Sequence, residues 1–297
     1  MTDTSIHLSK PDPVAIIDLG SNSVRMVVFK ETKPLTSDKV QCLLGRDLLK
    51  TGKLNPKACD KVRKTLKKFM TLVKKMNVKT ILPIGTAALR SASDGKDFIN
   101  SLEREFGFSV RLISGQEEAR LSALGVLTLM PNASGVVADL GGGSLELACI
   151  GNGAVSEALS MPMGALILSD YGKNLPFILR ETFQNLPDSL KKQDTLYVVG
   201  GTLRCMARIN MKLHKDKVDL QGYTVSRRDI QSLCEYVRKK SPGFLAKKYD
   251  ISAVRARTLS PASFLVEALM DELSLSEMVV SLGGLRDGIL REYYTSH

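Results

Sequence analysis

Tryptophan is absent from the 297 residues, aromatic side chains make up 5%, and histidine occurs three times, as His7, His214 and His297. Base stacking has little to build on, and no basic segment with interleaved aromatics stands out. Three scattered histidines are poor material for a catalytic triad, a histidine-ligated metal or a phosphohistidine intermediate. The five cysteines, Cys42, Cys59, Cys149, Cys205 and Cys234, form no C-x-x-C pair. That speaks against a zinc ribbon or a disulfide framework and for reduced, mostly buried thiols. No cysteine has an arginine six residues on, no G-x-x-x-x-G-K-[ST] segment occurs, and there is no D-x-D pair, so cysteine-dependent phosphatase, P-loop and aspartyl-phosphate mechanisms lack their residues. Apolar runs of about 18 residues are lacking, and the opening MTDTSIHLSKPDP has neither a basic nor an apolar stretch; a soluble, cytoplasmic protein is expected.

What is present is a globular composition, 43% apolar and 25% charged, with a length that suggests two domains at ~150 residues each. The net charge of +11 suits a polyanionic partner, either nucleic acid or a phosphate-rich substrate. Residues 14–29, VAIIDLGSNSVRMVVF, read as strand, tight turn, strand, and residues 136–150, VVADLGGGSLELACI, repeat the pattern with the same Asp-Leu-Gly start. Between the copies, Val62, Leu66, Phe69, Val73 and Met76 mark one face of a helix over 55–77. TILPIG and FSVRLI read as strands and 97–106 as a helix, while Ser114 and Glu117 have the spacing of a capping box opening a helix through Leu129. Further on, TLYVVGG feeds a helix from Thr202 to about Leu213, and 226–240 and 261–273 are expected to be helical. MVVSLGGLRDGIL closes the series as strand, turn and helix. Alternating strands and helices predict an α/β fold. The Pro131–Gly135 junction divides it into residues 1–130 and 131–297, with the last helix packing back on the first domain.

Four small-residue turns stand at strand ends, at 20–23, 141–144, 200–202 and 283–284. Such turns let backbone amides converge on an anion, although each alone is also ordinary turn chemistry. Asp139 and Glu146 flank the second turn and offer hard oxygen ligands to Mg²⁺, unless Glu146 faces solvent. Asp18 either serves metal and water or bonds its own turn. Of the adjacent Glu117 and Glu118, the first is explained by the capping box; the second is free to take a proton from an attacking water or to sit at a helix start for dipole reasons. Thr86 and Arg90 follow a strand end, where an arginine grips phosphate or forms a surface ion pair. Lysines across 57–79 and 238–248 form either a basic track or a solvated helix face.

Read in order, IIDLGSNSVRMVV, IGTAALRSA, LISGQEEARLSALGV, VVADLGGGSLEL, YVVGGTLR and VSLGGLRDGIL resemble the motif series of the exopolyphosphatase and guanosine pentaphosphate phosphohydrolase (Ppx/GppA) family across residues 14–292. The resemblance implies a short two-domain form with two ribonuclease-H-like domains of the actin, sugar kinase and heat-shock chaperone ATPase superfamily around a central cleft. It implies Mg²⁺-dependent hydrolysis of terminal phosphoanhydride bonds in polyphosphate, with guanosine pentaphosphate as a further substrate. Glu118 would be the general base, and Asp139, Glu146 and Asp18 would hold metal or position water. Gly20, Ser21, Asn22, Ser23, Gly141, Gly142, Gly143 and Ser144 would bind phosphate, helped by Arg25, Thr86 and Arg90. Mn²⁺ and a monovalent cation are further candidate ions, and a homodimer is the family expectation. Two other readings stand beside this one: an ATP-dependent phosphotransferase of the same superfold, and a non-catalytic polyanion-binding module. Nucleic acid and membrane partners are not expected.

Overall fold

The computed structural model describes residues 12–296, so His7, His297 and the opening segment lie outside the described residues. Ten elements build the first half: β1 (Val14–Leu19), β2 (Ser23–Lys30), β3 (Lys33–Gln41), α1 (Leu48–Thr51), α2 (Pro56–Lys75), β4 (Thr80–Gly85), α3 (Ala87–Ser91), α4 (Gly95–Phe106), β5 (Arg111–Leu112) and α5 (Gly115–Leu129). The second half starts with β6 (Gly135–Leu140), β7 (Leu145–Gly151), β8 (Ala154–Met161), α6 (Leu175–Phe183), α7 (Asp188–Lys191), β9 (Thr195–Val199) and α8 (Gly201–His214). It ends with β10 (Thr224–Ser226), α9 (Arg227–Arg238), α10 (Pro242–Tyr249), α11 (Ala253–Glu272), β11 (Glu277–Val280) and α12 (Leu285–Ser296).

The first sheet has the order β3-β2-β1-β4-β5, and the second repeats it as β8-β7-β6-β9-β11 with β10 added at the edge. In each, the first strand pairs antiparallel with the second and parallel with the fourth. This is the duplicated ribonuclease-H-like topology, an α/β fold with two mixed sheets. Apolar alternation sends Ile17 and Met26 to one face of the first sheet, against Val62, Leu66 and Phe69 of α2 and Leu102 of α4. Ile16 and Phe29 go to the other face, against Leu121 of α5 and Ile289 of α12. Helix α5 also packs Ala123, Val126 and Leu127 against Val137, Ile150 and Tyr197 of the second sheet. It is therefore wedged between the sheets, which explains why its buried positions include the small residues Ala119, Ser122, Ala123 and Gly125.

The expected strand over FSVRLI shortens to Arg111–Leu112, an edge strand paired only through Ile84 and Gly85. The helix expected from Pro261 begins at Ala253, because Ser252 caps it by accepting the Arg255 amide at 3.2 Å. Pro261 then lies inside α11. Among the described residues no helix is long and apolar enough to cross a membrane.

Candidate active site

The two Asp-Leu-Gly hairpins close in the same way: the Gly20 amide donates to the Ser23 carbonyl at 3.2 Å and the Gly141 amide to that of Ser144 at 3.0 Å. The turns then press against each other. A Cβ on Gly143 would stand 2.7 Å from Ser21 Oγ, and one on Gly142 would stand 3.1 Å from Asn22 Cβ, so side chains are excluded where the turns meet. Among the described residues, the amides of Ser21, Asn22, Gly142 and Gly143 donate to no protein acceptor. Both turns line one cleft of about 1160 Å³, open mouth included, together with Asp18, Arg25, Thr86, Glu118, Asp139 and Glu146. Amides without partners at two facing turns are a ready anion cradle.

Strand register shows how the duplicated hairpins divide their labour. Asp18 lies opposite Arg25 in the first, and Asp139 lies opposite Glu146 in the second. One hairpin brings a cation to the cleft where its copy brings a second carboxylate. Glu146 is 2% exposed, so it does not face solvent; its Oε1 accepts the Ser160 hydroxyl at 2.8 Å from β8. Burial and the neighbouring Glu118 and Asp139 push its carboxyl well above the usual carboxylate range. Asp139 Oδ2 accepts the Ser122 hydroxyl at 2.7 Å, and burial raises its pKa as well.

Glu118 enters the cleft from the first turn of α5, whose Ser114 cap accepts the Glu117 amide at 3.1 Å. It shares a face with Ser122, four residues on, so one helix face aims a carboxylate at the cleft and a hydroxyl at Asp139. Burial pushes the Glu118 carboxyl up to about 7; Arg90 opposes the rise, while Asp139 and Asp18 add to it. Arg90 Nη1 donates to Glu118 Oε2 at 3.2 Å and to the Ile113 carbonyl at 2.9 Å. Glu117 does not complete a capping box: its carboxylate pairs with Arg111, which also binds Glu292 of α12.

Of the residues singled out from sequence, the Gly20–Ser23 and Gly141–Ser144 turns, Arg25, Thr86, Glu118, Asp18, Asp139 and Glu146 all border the cleft. Arg90 instead lines an adjoining pocket with Ser160 and Gln116. Local sequence patterns do not reveal Lys39, Arg204, Arg255 and Arg286, which complete the cleft from β3, α8, α11 and α12. Arg286 Nη1 donates to Asp18 Oδ2 at 2.6 Å across 268 residues of chain. Arg204 Nε bonds the Ser281 carbonyl at 2.9 Å, and Arg255 Nη1 bonds Thr202 Oγ1 at 2.6 Å. Burial and the adjacent Arg255, Arg25 and Arg286 lower Lys39 to about 8, and burial brings Arg204 down to about 10. Clustered cations that depress one another are the electrostatic complement of a polyanion.

Among the described residues, no three His, Cys, Asp or Glu side chains converge as a ready metal cage. Asp18 and Asp139 each have Oδ2 bound to a protein donor and keep Oδ1 unclaimed. Mg²⁺ typically takes one or two carboxylates and completes its shell with water and phosphate oxygens, so this donor set fits it. The mutual repulsion of buried Glu118, Asp139 and Glu146 is also what a divalent cation relieves.

Comparison with known proteins agrees with the fold. Exopolyphosphatase 1 of Mycobacterium leprae (strain TN) is 24% identical over 93% of this chain and 88% of its own length. The crystal structure of an exopolyphosphatase from Cytophaga hutchinsonii superposes with a TM-score of 0.86 at 23% identity, covering 96% of this chain and 98% of that one. The Ppx/GppA member from Aquifex aeolicus gives a TM-score of 0.80 at 23% identity, covering 96% of this chain and 99% of that one. A sequence model of the Ppx/GppA phosphatase family matches residues 23–297, and the chain belongs to that family.

Proposed function

We propose that this protein is an exopolyphosphatase that releases orthophosphate from the end of inorganic polyphosphate, with guanosine pentaphosphate as a second substrate of the same site. The observation that carries the reading is Glu118: a buried carboxylate with its pKa near 7, held beside two turns of unpartnered amides. A general base works best when its pKa lies near the working pH. The amides of Ser21, Asn22, Gly142 and Gly143, with Thr86 and Arg25, hold the terminal phosphoryl group; Lys39, Arg204 and Arg255 hold the phosphates behind it. Water oxygen bonds to the terminal phosphorus as the bridging P–O bond breaks; Glu118 takes the water proton, and the shortened chain leaves with the bridging oxygen. Asp139 and Glu146, with Asp18, would hold Mg²⁺ or Mn²⁺, which when bound neutralises phosphate charge. Arg90 orients Glu118 through their hydrogen bond.

The test is phosphate release from long-chain polyphosphate, tripolyphosphate, guanosine pentaphosphate and ATP, with and without Mg²⁺. Release from polyphosphate is expected to fall about 10²–10⁴-fold in Glu118→Gln. Full turnover in that variant removes Glu118 as the base. Transfer from ATP to an acceptor without polyphosphate hydrolysis overturns the exopolyphosphatase reading in favour of a phosphotransferase.

A further inference from the structure

A basic helix face leads away from the cleft at Arg255. Helix α8 starts in it, with Gly201 and Thr202 on the wall, and Gly201, Cys205, Arg208 and Lys212 recur on one face at helical spacing. A Cβ on Gly201 would stand 2.5 Å from Arg255 Nη2, so Arg255 lies on that face at its cleft end. The helical spacing sets Arg208 and Lys212 beyond Gly201 and Arg255 along that face, and all three cations lie near enough to act on the Cys205 thiol. At 1.5 Å per residue the row runs about 16 Å from the cleft wall to Lys212.

At its outer end, Lys212 Nζ lies 5.8 Å from the centroid of Tyr249, where α10 joins α8. Lys248 Nζ stands 5.4 Å from Tyr236, 5.5 Å from Phe244 and 5.4 Å from Tyr249. Lys240 Nζ stands 5.6 Å from Tyr236 and 5.4 Å from Phe244. The Lys248 ammonium also donates to Tyr236 Oη at 2.9 Å. An aromatic and basic cluster therefore exists, contrary to the sequence expectation. Tyr236, Lys240, Phe244, Lys248 and Tyr249 come from α9, α10 and the loop between them, within one basic stretch of sequence, and Lys212 joins them from α8 on folding. Cation–π contacts hold these long side chains in place, which lowers the entropy lost when an anion binds. The nearby Lys239 and Arg238 have carboxylate partners in Glu235 and Glu267, whereas Arg208, Lys212, Lys240, Lys248 and Arg255 form no ion pair among the described residues.

We infer that the row Arg255, Arg208, Lys212, Lys248 and Lys240 is an outer track that holds the distal part of a long polyphosphate chain while its end lies in the cleft. The inference rests on the exopolyphosphatase reading and extends it to chain length. Polyphosphate fits better than single-stranded nucleic acid because the ring faces that would stack on bases carry ammonium groups.

The unaltered protein, Lys212→Ala/Lys248→Ala and Lys212→Arg/Lys248→Arg are compared on long-chain polyphosphate and on tripolyphosphate, after their thermal transitions are matched. The alanine pair is expected to lose about tenfold in kcat/KM on the long chain through KM. Arginine restores it, and tripolyphosphate kinetics hold throughout. Equal losses on both substrates, or none on the long chain, overturn the track. If the unaltered protein hydrolyses neither substrate, the exopolyphosphatase reading falls, and the track is judged by binding of end-labelled long-chain polyphosphate. Unchanged affinity in the alanine pair then overturns it. Oligouridylate binding more tightly than polyphosphate of equal charge overturns it in favour of a nucleic acid partner.

Discussion

Glu118 is under opposing demands: its position in a helix first turn and beside Arg90 favours the charged form, and its burial beside Asp139 and Asp18 favours the neutral one. The balance at about 7, against the usual 4.5, sets two pH dependences. As the proposed general base, Glu118 must be ionised, so kcat/KM for the free enzyme is expected to fall below pH 7, about tenfold per unit. Arg90→Gln removes the cation that lowers the pKa and is expected to move this acid limb to higher pH. A pH profile of the variant with the limb unmoved denies Arg90 its positioning role. In stability the sign reverses. A carboxyl whose folded pKa is raised stabilises the fold fully below its unfolded pKa, near 4.5, and that stabilisation is lost as pH rises through 7. Glu118→Gln is therefore expected to raise the unfolding free energy at pH 8 by on the order of 1–3 kcal/mol in metal-free protein, with little gain at pH 4.5. Chemical denaturation at the two pH values checks it.

The duplicated hairpins were legible because Asp-Leu-Gly followed by small residues is a local pattern, and α2 and α5 were legible from periodicity and a serine cap. Strand β3, KPLTSDKVQ, was not: it is a mostly exposed edge strand without apolar alternation, yet it brings Lys39 into the cleft. Strand β8, a half-buried edge strand, brings Ser160 to Glu146. What no local pattern records is the crossing of α5 and α12. A Cβ on Gly288 would stand 1.8 Å from the Leu121 carbonyl oxygen, and one on Gly125 would stand 1.9 Å from that of Gly284, so the two backbones touch. That contact seats the start of α12, where Arg286 reaches Asp18. Gly288→Ala is expected to cost about 1–3 kcal/mol by overpacking. It should also weaken turnover by displacing Arg286. A thermal transition and phosphate release equal to those of the unaltered protein would show that the crossing tolerates a side chain.

The net charge of +11 is a property of the whole chain, and its meaning depends on where the charge lies. On α2, Lys68 faces Asp38 and Arg63 faces Glu105, so part of the lysine-rich helix is compensated locally, as a solvated face usually is. The cleft and the α8 row differ: Arg25, Lys39 and Arg255 crowd together, and burial leads the lowering of each pKa. Such an array gathers counterions, and a bound polyanion displaces them, so affinity should fall with salt in proportion to the phosphates contacted. A long chain spanning cleft and row contacts more cations than tripolyphosphate confined to the cleft. The log–log slope of KM against salt is therefore expected to be steeper for long-chain polyphosphate. Removing Lys212 and Lys248 should flatten that slope by about 1 per lysine and leave the tripolyphosphate slope in place. Initial rates over a salt series with both substrates measure it. Equal slopes for the two chain lengths would mean that the enzyme holds only the end of its substrate and that the basic surplus acts by diffuse attraction alone.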